Sequence, residues 1–157
     1  MASIKMTRID YRLIHGQVVA KWIKYNPINS IIVADDDLVK DDFMVDIYKM
    51  AAPGNKVDIV SIKDLNDTIK NADGEVMVIF KTVDSLYEAI EYGFNVQEIN
   101  VGAVESGQGR KQIVQGVSLS KEEVDKLDKL DAKGINVYSQ SIPENSRISL
   151  EEIKNKI

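Results

Sequence analysis

The chain predicts an α/β fold: a single domain over residues 1–157, built on a mostly parallel central sheet of about six or seven strands with helices on both faces. Three observations carry the prediction. Strand-like stretches alternate with helical stretches of about 10 to 15 residues, as in parallel sheets whose strands are joined by right-handed crossovers. Two runs, Ser30-Ile31-Ile32-Val33-Ala34 and Val76-Met77-Val78-Ile79-Phe80, are apolar without alternation, the mark of strands covered on both faces. Capping residues stand where these segments begin and end.

The first strand is expected over Ile4-Lys5-Met6-Thr7-Arg8-Ile9, where apolar and polar residues roughly alternate. Val18, Val19, Trp22 and Ile23 then fall at helical spacing. They predict a helix from about Gly16 to Tyr25, stopped at Asn26-Pro27 because proline disfavours helix in the residue before it. After the strand at Ser30 to Ala34, Asp35-Asp36-Asp37 is expected to cap a second helix. Its apolar positions are Leu38, Phe43, Met44, Ile47, Tyr48 and Ala51, and Pro53-Gly54 ends it. Lys56 to Val60 alternates as a third strand, and Ser61, with Asp64 three places on, opens a third helix that returns at Asp73-Gly74. Val76 to Phe80 is the most apolar run and hence a central strand, followed by a helix from the Thr82 cap to Gly93. Glu98-Ile99-Asn100-Val101 is a fifth strand, and the glycines of the segment Gly102 to Lys111 suit an irregular surface loop. Val117-Ser118-Leu119 is a further short strand. Ser120-Lys121-Glu122-Glu123 is a capping box for a helix closed by Gly134. A strand from Ile135 to Ser139 and a short helix from Ser149-Leu150-Glu151-Glu152 complete the chain.

Composition narrows the chemistry. There is no cysteine and a single histidine, so a thiolate nucleophile, a disulfide scaffold and a multi-histidine metal site are all excluded. A net charge of −5 with no long Lys/Arg run argues against nucleic acid as a partner. No apolar run approaches the roughly 18 residues of a membrane span, and the N-terminus lacks a leader-like apolar core, so a cytoplasmic location is expected.

In parallel sheets ligands gather at the carboxyl ends of the strands. His15, Asp35, Lys81 and the glycine-rich loop all follow predicted strands and are expected on one rim. His15 sits where the first helix begins, in front of unpaired backbone N–H groups and the positive end of the helix dipole. Its neighbours suit an anion. Asp10 can accept a hydrogen bond and orient a ring or guanidinium, Arg12 offers a planar fork to phosphate oxygens, and Gly16 allows close backbone approach. Imidazole is a competent phosphoryl acceptor at neutral pH, and its phosphoramidate is labile enough to pass the group on. These residues describe a phosphoryl site that needs neither a metal nor a cofactor.

The stretch Asp10-x-Arg12-Leu13-Ile14-His15-Gly16-Gln17 resembles the phosphorylation-site loop of the enzyme IIB subunits of the mannose/fructose/sorbose family of the bacterial phosphoenolpyruvate-dependent sugar phosphotransferase system. The resemblance extends through Ala51-Ala52-Pro53-Gly54, Phe80-Lys81, Glu98-Ile99-Asn100-Val101-Gly102 and the lysine-containing loop that follows. It implies a phosphocarrier in which His15 takes a phosphoryl group, through Nδ1, from a histidine of a IIA partner. The group then passes to a sugar entering through the membrane IIC/IID subunits. Carried onto this chain, Arg12 neutralises the phosphoryl oxygens, Asp10 supports the loop, and backbone amides around Leu13, Ile14, Gly16 and Gln17 cradle the phosphate. Lys81 and Lys111 add positive charge or receive an acidic IIA surface. Tyr11 departs from the Asp, Asn or Ser often found there, and a homodimer is compatible with the family.

Competing readings are weaker on the residues. A histidine phosphatase would need an Arg-His-Gly motif, whereas two residues separate Arg12 from His15 and the second histidine is missing. A non-catalytic binding module of the same fold would not need His15 and Arg12 together. Asp35-Asp36-Asp37 reads as a helix cap before it reads as a magnesium site, and Gly102 to Lys111 lacks the Lys-Ser/Thr pair of a nucleotide-binding loop. Trp22 is expected in the core.

Overall fold

The computed structural model describes residues 2–157. Among the described residues the six expected helices and seven expected strands stand in the predicted order, and two further short strands, β6 and β9, join them: β1 (Ser3–Asp10), α1 (Gly16–Tyr25), β2 (Ser30–Ala34), α2 (Asp42–Met50), β3 (Lys56–Val60), α3 (Leu65–Lys70), β4 (Glu75–Phe80), α4 (Val83–Glu91), β5 (Glu98–Ala103), β6 (Lys111–Val114), β7 (Val117–Leu119), α5 (Lys121–Ala132), β8 (Asn136–Ser139), β9 (Ile148–Ser149) and α6 (Leu150–Asn155). The main sheet has seven strands in the order β3-β2-β4-β1-β5-β8-β9, all parallel except for the antiparallel edge strand β9.

Alternation along the central strands divides the apolar residues between two faces. Ile31, Val33, Met77 and Ile79 point into one core with Val19, Trp22 and Leu38, under α1 and α2. Ile32, Ala34, Val76, Val78 and Phe80 point into the other, with Leu65, Leu86, Leu127 and Ile153 from α3 to α6. This explains why the β2 and β4 runs show no polar alternation: every residue of both meets a helix layer or a neighbouring strand.

Two helices begin later than the caps in the sequence suggested. Asp35 does not cap α2; its side chain accepts from the Leu38 N–H at 2.8 Å and initiates a 3-10 turn over Leu38–Lys40. Asp41 is the residue that caps α2, accepting from Met44. Likewise Ser61 folds a local turn, with its Oγ accepting from Asp64, and α3 starts only at Leu65. In both places the side-chain oxygen captures a nearby amide, as cap residues do, but the chain needs one more turn before its apolar face reaches the core.

The segment Gly102 to Lys111 is a loop for only part of its length. Gly102 and Ala103 extend β5, and Lys111 opens a β6–β7 hairpin turned at Gln115-Gly116, where Gly116 takes φ +83°. Val104 joins the hairpin to β5 through a parallel bridge to Val117. At the start of α5 the capping box is complete: Ser120 accepts from Glu123 N–H, and the Glu123 carboxylate accepts from Ser120 N–H. Ser120→Ala therefore costs about 1 kcal/mol, lowering Tm by about 2–4 °C, measurable by calorimetry. No helix among the described residues is long and apolar enough to cross a membrane.

Candidate functional site

The chain leaves the carboxyl end of β1 toward β2 and β3 on one side, and leaves β5 toward β8 on the other. The ends of β1 and β5 are therefore the switch point of the sheet, where α/β folds open a crevice. Tyr11, Arg12, Val18, Gly102, Gln115, Gly116, Ser141 and Ile142 line a shallow cleft there.

A tight turn carries the loop from β1 into α1. Leu13 N–H donates to the Asp10 carbonyl at 2.9 Å, and Leu13 takes φ +59°, the one positive φ among the described non-glycine residues. For a leucine this left-handed conformation costs about 1–2 kcal/mol. It is held because Leu13 and Ile14 are both buried in the core beneath α1 and α2. Gly16 closes the loop, and a Cβ there would press on the Ala51 carbonyl oxygen, 3.3 Å away.

His15 stands exposed at the N-cap of α1 with extended backbone (φ −100°, ψ 110°), and its side chain makes no capping hydrogen bond. His15 thus leaves the helix start without a side-chain cap, Gly16 and Gln17 are exposed, and the first N–H groups of a helix have no partner within it. Trp22, one helix stretch further on, is buried as expected, and its Nε1–H donates to the Ser141 carbonyl.

Behind the loop lies a buried ion cluster. Asp10 is 1 % exposed and accepts five hydrogen bonds from two arginines. Arg12 gives its backbone N–H (2.9 Å) and Nε (3.0 Å) to Oδ1 and its Nη2 (3.0 Å) to Oδ2. Arg8, also 1 % exposed, gives Nε and Nη2 to Oδ2 at 3.4 Å. Its Nη1 and Nη2 reach the carbonyls of Gln140 (3.1 Å) and Ser141 (2.8 Å). The fork of Arg12 is therefore spent on Asp10, and its Nη1 edge is what remains for a ligand. Hydrogen bonding to Asp10 holds Arg12 above its ordinary guanidinium value, whereas burial pulls Arg8 below it against the pull of Asp10. Burial, then the carboxylates of Asp35 and Asp10, push the Tyr48 phenol of α2 up.

A family model described as "PTS system sorbose subfamily IIB component" matches residues 4–157. The chain belongs to this family. It is a IIB component of the mannose/sorbose kind, a phosphocarrier in sugar transport. Among its relatives is the fructose-specific EIIB component of Bacillus subtilis, 29% identical, with 93% of this chain and 92% of the relative covered. The mannose-specific EIIAB component of Escherichia coli K12 is 28% identical over 98% of this chain, which spans only 49% of that longer protein. Solved structures agree in fold. ManxB from Thermoanaerobacter tengcongensis superposes with a TM-score of 0.93 at 38% identity, covering 99% of this chain and 97% of that one. The IIBSor domain of the Klebsiella pneumoniae sorbose permease gives 0.90 at 28% identity, covering 99% and 98%.

The structure of this IIB component brings Asp10, Arg12, Leu13, Ile14, His15, Gly16 and Gln17 together in one turn. It separates other candidates from them. Asp35 and Asp36 spend their carboxylates on the amides of Leu38 and Ile62. Lys81 is exposed one residue beyond Phe80, which pairs with Ile9, so it stands on the same rim. Lys111 pairs with Leu119 at the far end of the hairpin, about 13 Å along the strand from the Gln115-Gly116 tip that borders the cleft. Arg110, in the glycine-rich loop, gives its Nε and Nη2 to the Glu123 carboxylate (3.0 and 3.1 Å), so its fork is engaged away from His15. Sequence reasoning missed Arg8 and the Gln140-Ser141 backbone that receives it. The signal was present: Arg8 and Asp10 are two apart on a strand, hence on one face.

Proposed function

We propose that His15 accepts a phosphoryl group from a histidine of a IIA partner and donates it to a sugar at membrane IIC/IID subunits, with Arg12 stabilising the phosphoryl oxygens. The observation that carries this reading is the exposed, uncapped imidazole at the start of α1, set beside a cluster in which two arginines share one carboxylate. An imidazole lone pair of His15, that of Nδ1 on the family resemblance, attacks phosphorus in line as the donor's N–P bond breaks. In the second step the sugar hydroxyl forms a P–O bond, the His15 N–P bond breaks, and the hydroxyl proton leaves to a base of the acceptor. Catalysis rests on positioning and on positive charge: the helix N-terminus, with the amides of Gly16 and Gln17, and the free edge of Arg12 receive the three peripheral oxygens. Asp10 holds Arg12 in place. The name of the E. coli EIIAB relative, which joins A and B, supports a IIA donor. The reading places the protein in the cytoplasm beside its membrane subunits.

The test supplies phosphoenolpyruvate, the general phosphotransferase proteins and IIA. The protein gains one acid-labile, base-stable phosphate by intact mass, mapped to His15. No added phosphate with an active IIA, or a phosphate mapped to Ser, Thr or Asp, sinks the assignment. Arg12→Lys separates chemistry from folding: it keeps the charge but loses the planar fork. Transfer slows about tenfold while Tm falls by no more than about 4 °C, because Arg12 is about one-third exposed. Transfer at the wild-type rate removes Arg12 from the site.

A further inference from the structure

Arg8 is the largest of the fully buried side chains, and a buried cation needs a reason. Packing alone does not give one. Its guanidinium lies in a slot between the Trp22 ring, 5.6 Å from the ring centre, and the face of Gly102, where a methyl group would overlap it. A methionine or leucine would fill such a slot without the desolvation that a guanidinium suffers. What distinguishes Arg8 is its contact with Asp10, the carboxylate that already grips Arg12. If Asp10 faced Arg12 alone, the carboxylate that fixes the guanidinium would also cancel its charge. With Arg8 behind it, two cations meet one carboxylate and the cluster keeps one unit of positive charge, which emerges at Arg12, the member that reaches solvent.

We propose that Arg8 is a positioning residue of the phosphoryl site: it neutralises Asp10 from the buried side, so that Asp10 anchors Arg12 without extinguishing its charge toward an incoming phosphoryl group. Its bonds to the Gln140 and Ser141 carbonyls hold it there, and these carbonyls are in turn fixed to β5, since Asn100 Nδ2 donates to the Gln140 carbonyl at 3.0 Å and Ser141 Oγ donates to the Gly102 carbonyl at 2.9 Å. The inference rests on the phosphoryl-site reading of His15 and Arg12.

The test compares Arg8→Met, which keeps bulk and loses charge, with Arg8→Lys, which keeps charge and loses the fork. Two quantities are read besides Tm: the Kd of inorganic phosphate, followed on the NMR signals of the only histidine of the chain, and the rate of phosphoryl acceptance from phospho-IIA. Arg8→Met weakens phosphate binding and slows acceptance by about tenfold each, and Arg8→Lys recovers both to within about threefold of wild type. Both variants leave backbone carbonyls short of donors and lose comparable thermal stability. A merely structural arginine predicts otherwise, with the two variants equally impaired in step with Tm. That result, or an Arg8→Met protein with wild-type affinity and rate, overturns the proposal. If Arg8→Met does not fold, Gly102→Ala takes its place: the added methyl pushes the guanidinium from its slot, phosphate binding weakens, and an unchanged Kd overturns the proposal. A wild-type protein that takes up no phosphoryl group defeats the carrier reading instead, and the phosphate titration tells that failure apart from one of Arg8.

Discussion

His15→Ala abolishes phosphoryl acceptance and lowers Tm by no more than about 2 °C. The ring is exposed, its side chain caps nothing, and the turn that carries it is anchored by Leu13 and Ile14, which the substitution leaves in place. Affinity for IIA also persists, because a docking surface is a patch of residues and one exposed imidazole is a small share of it. Uptake, affinity and Tm measured on this one variant decide the matter. Lost uptake with the other two preserved supports the carrier, whereas a joint collapse returns His15 to a packing role.

Asp10→Ala has the opposite profile, a large loss of stability. Asp10 is the one carboxylate that Arg8 meets among the described residues, and removing it leaves one guanidinium buried without a counter-charge and frees Arg12 from both of its side-chain bonds. Deleting one partner of a buried pair costs about 3–5 kcal/mol, which corresponds to a fall in Tm of roughly 10 °C or more. Phosphoryl acceptance of the variant, measured well below its Tm, drops as well because Arg12 loses its orientation. A Tm within about 2 °C of wild type contradicts the buried cluster as the support of the loop. Asp10→Asn separates the two contributions: the amide still accepts from Arg12 but brings no charge, so stability falls while part of the transfer rate survives.

Much of this molecule was legible in the chain because its signals are local. The bounds of α1, β2 and β3 coincide with the apolar periodicity, and the Ser120–Glu123 box and the Thr82 cap sit where their residue types require. What was not legible depended on partners distant in sequence. Nothing near Asp36 announces that it receives the amide of Ile62. The β6–β7 hairpin was hidden behind loop-like glycines, although Gln115-Gly116 between Val114 and Val117 marks a two-residue turn. Arg8 was overlooked for the same reason, since its carbonyl partners at Gln140 and Ser141 lie more than a hundred residues away. The turn that carries His15 and Arg12, by contrast, was legible because it occupies eight consecutive residues, from Asp10 to Gln17.

The left-handed backbone at Leu13 has a consequence for a group that must travel in both directions. A carrier is the acceptor in one reaction and the donor in the next, and both transfers need an in-line approach at the same imidazole beside the same charges. A loop that relaxed between the two encounters would have to be reassembled each time, adding a barrier to each transfer. By fixing φ at +59° on a residue whose side chain is locked in the core, the fold confines the loop to one shape. On the proposed carrier role, His15 thus presents an unchanged geometry to whichever partner arrives, and the direction of flow is left to the phosphoryl potential of the donor and the acceptor.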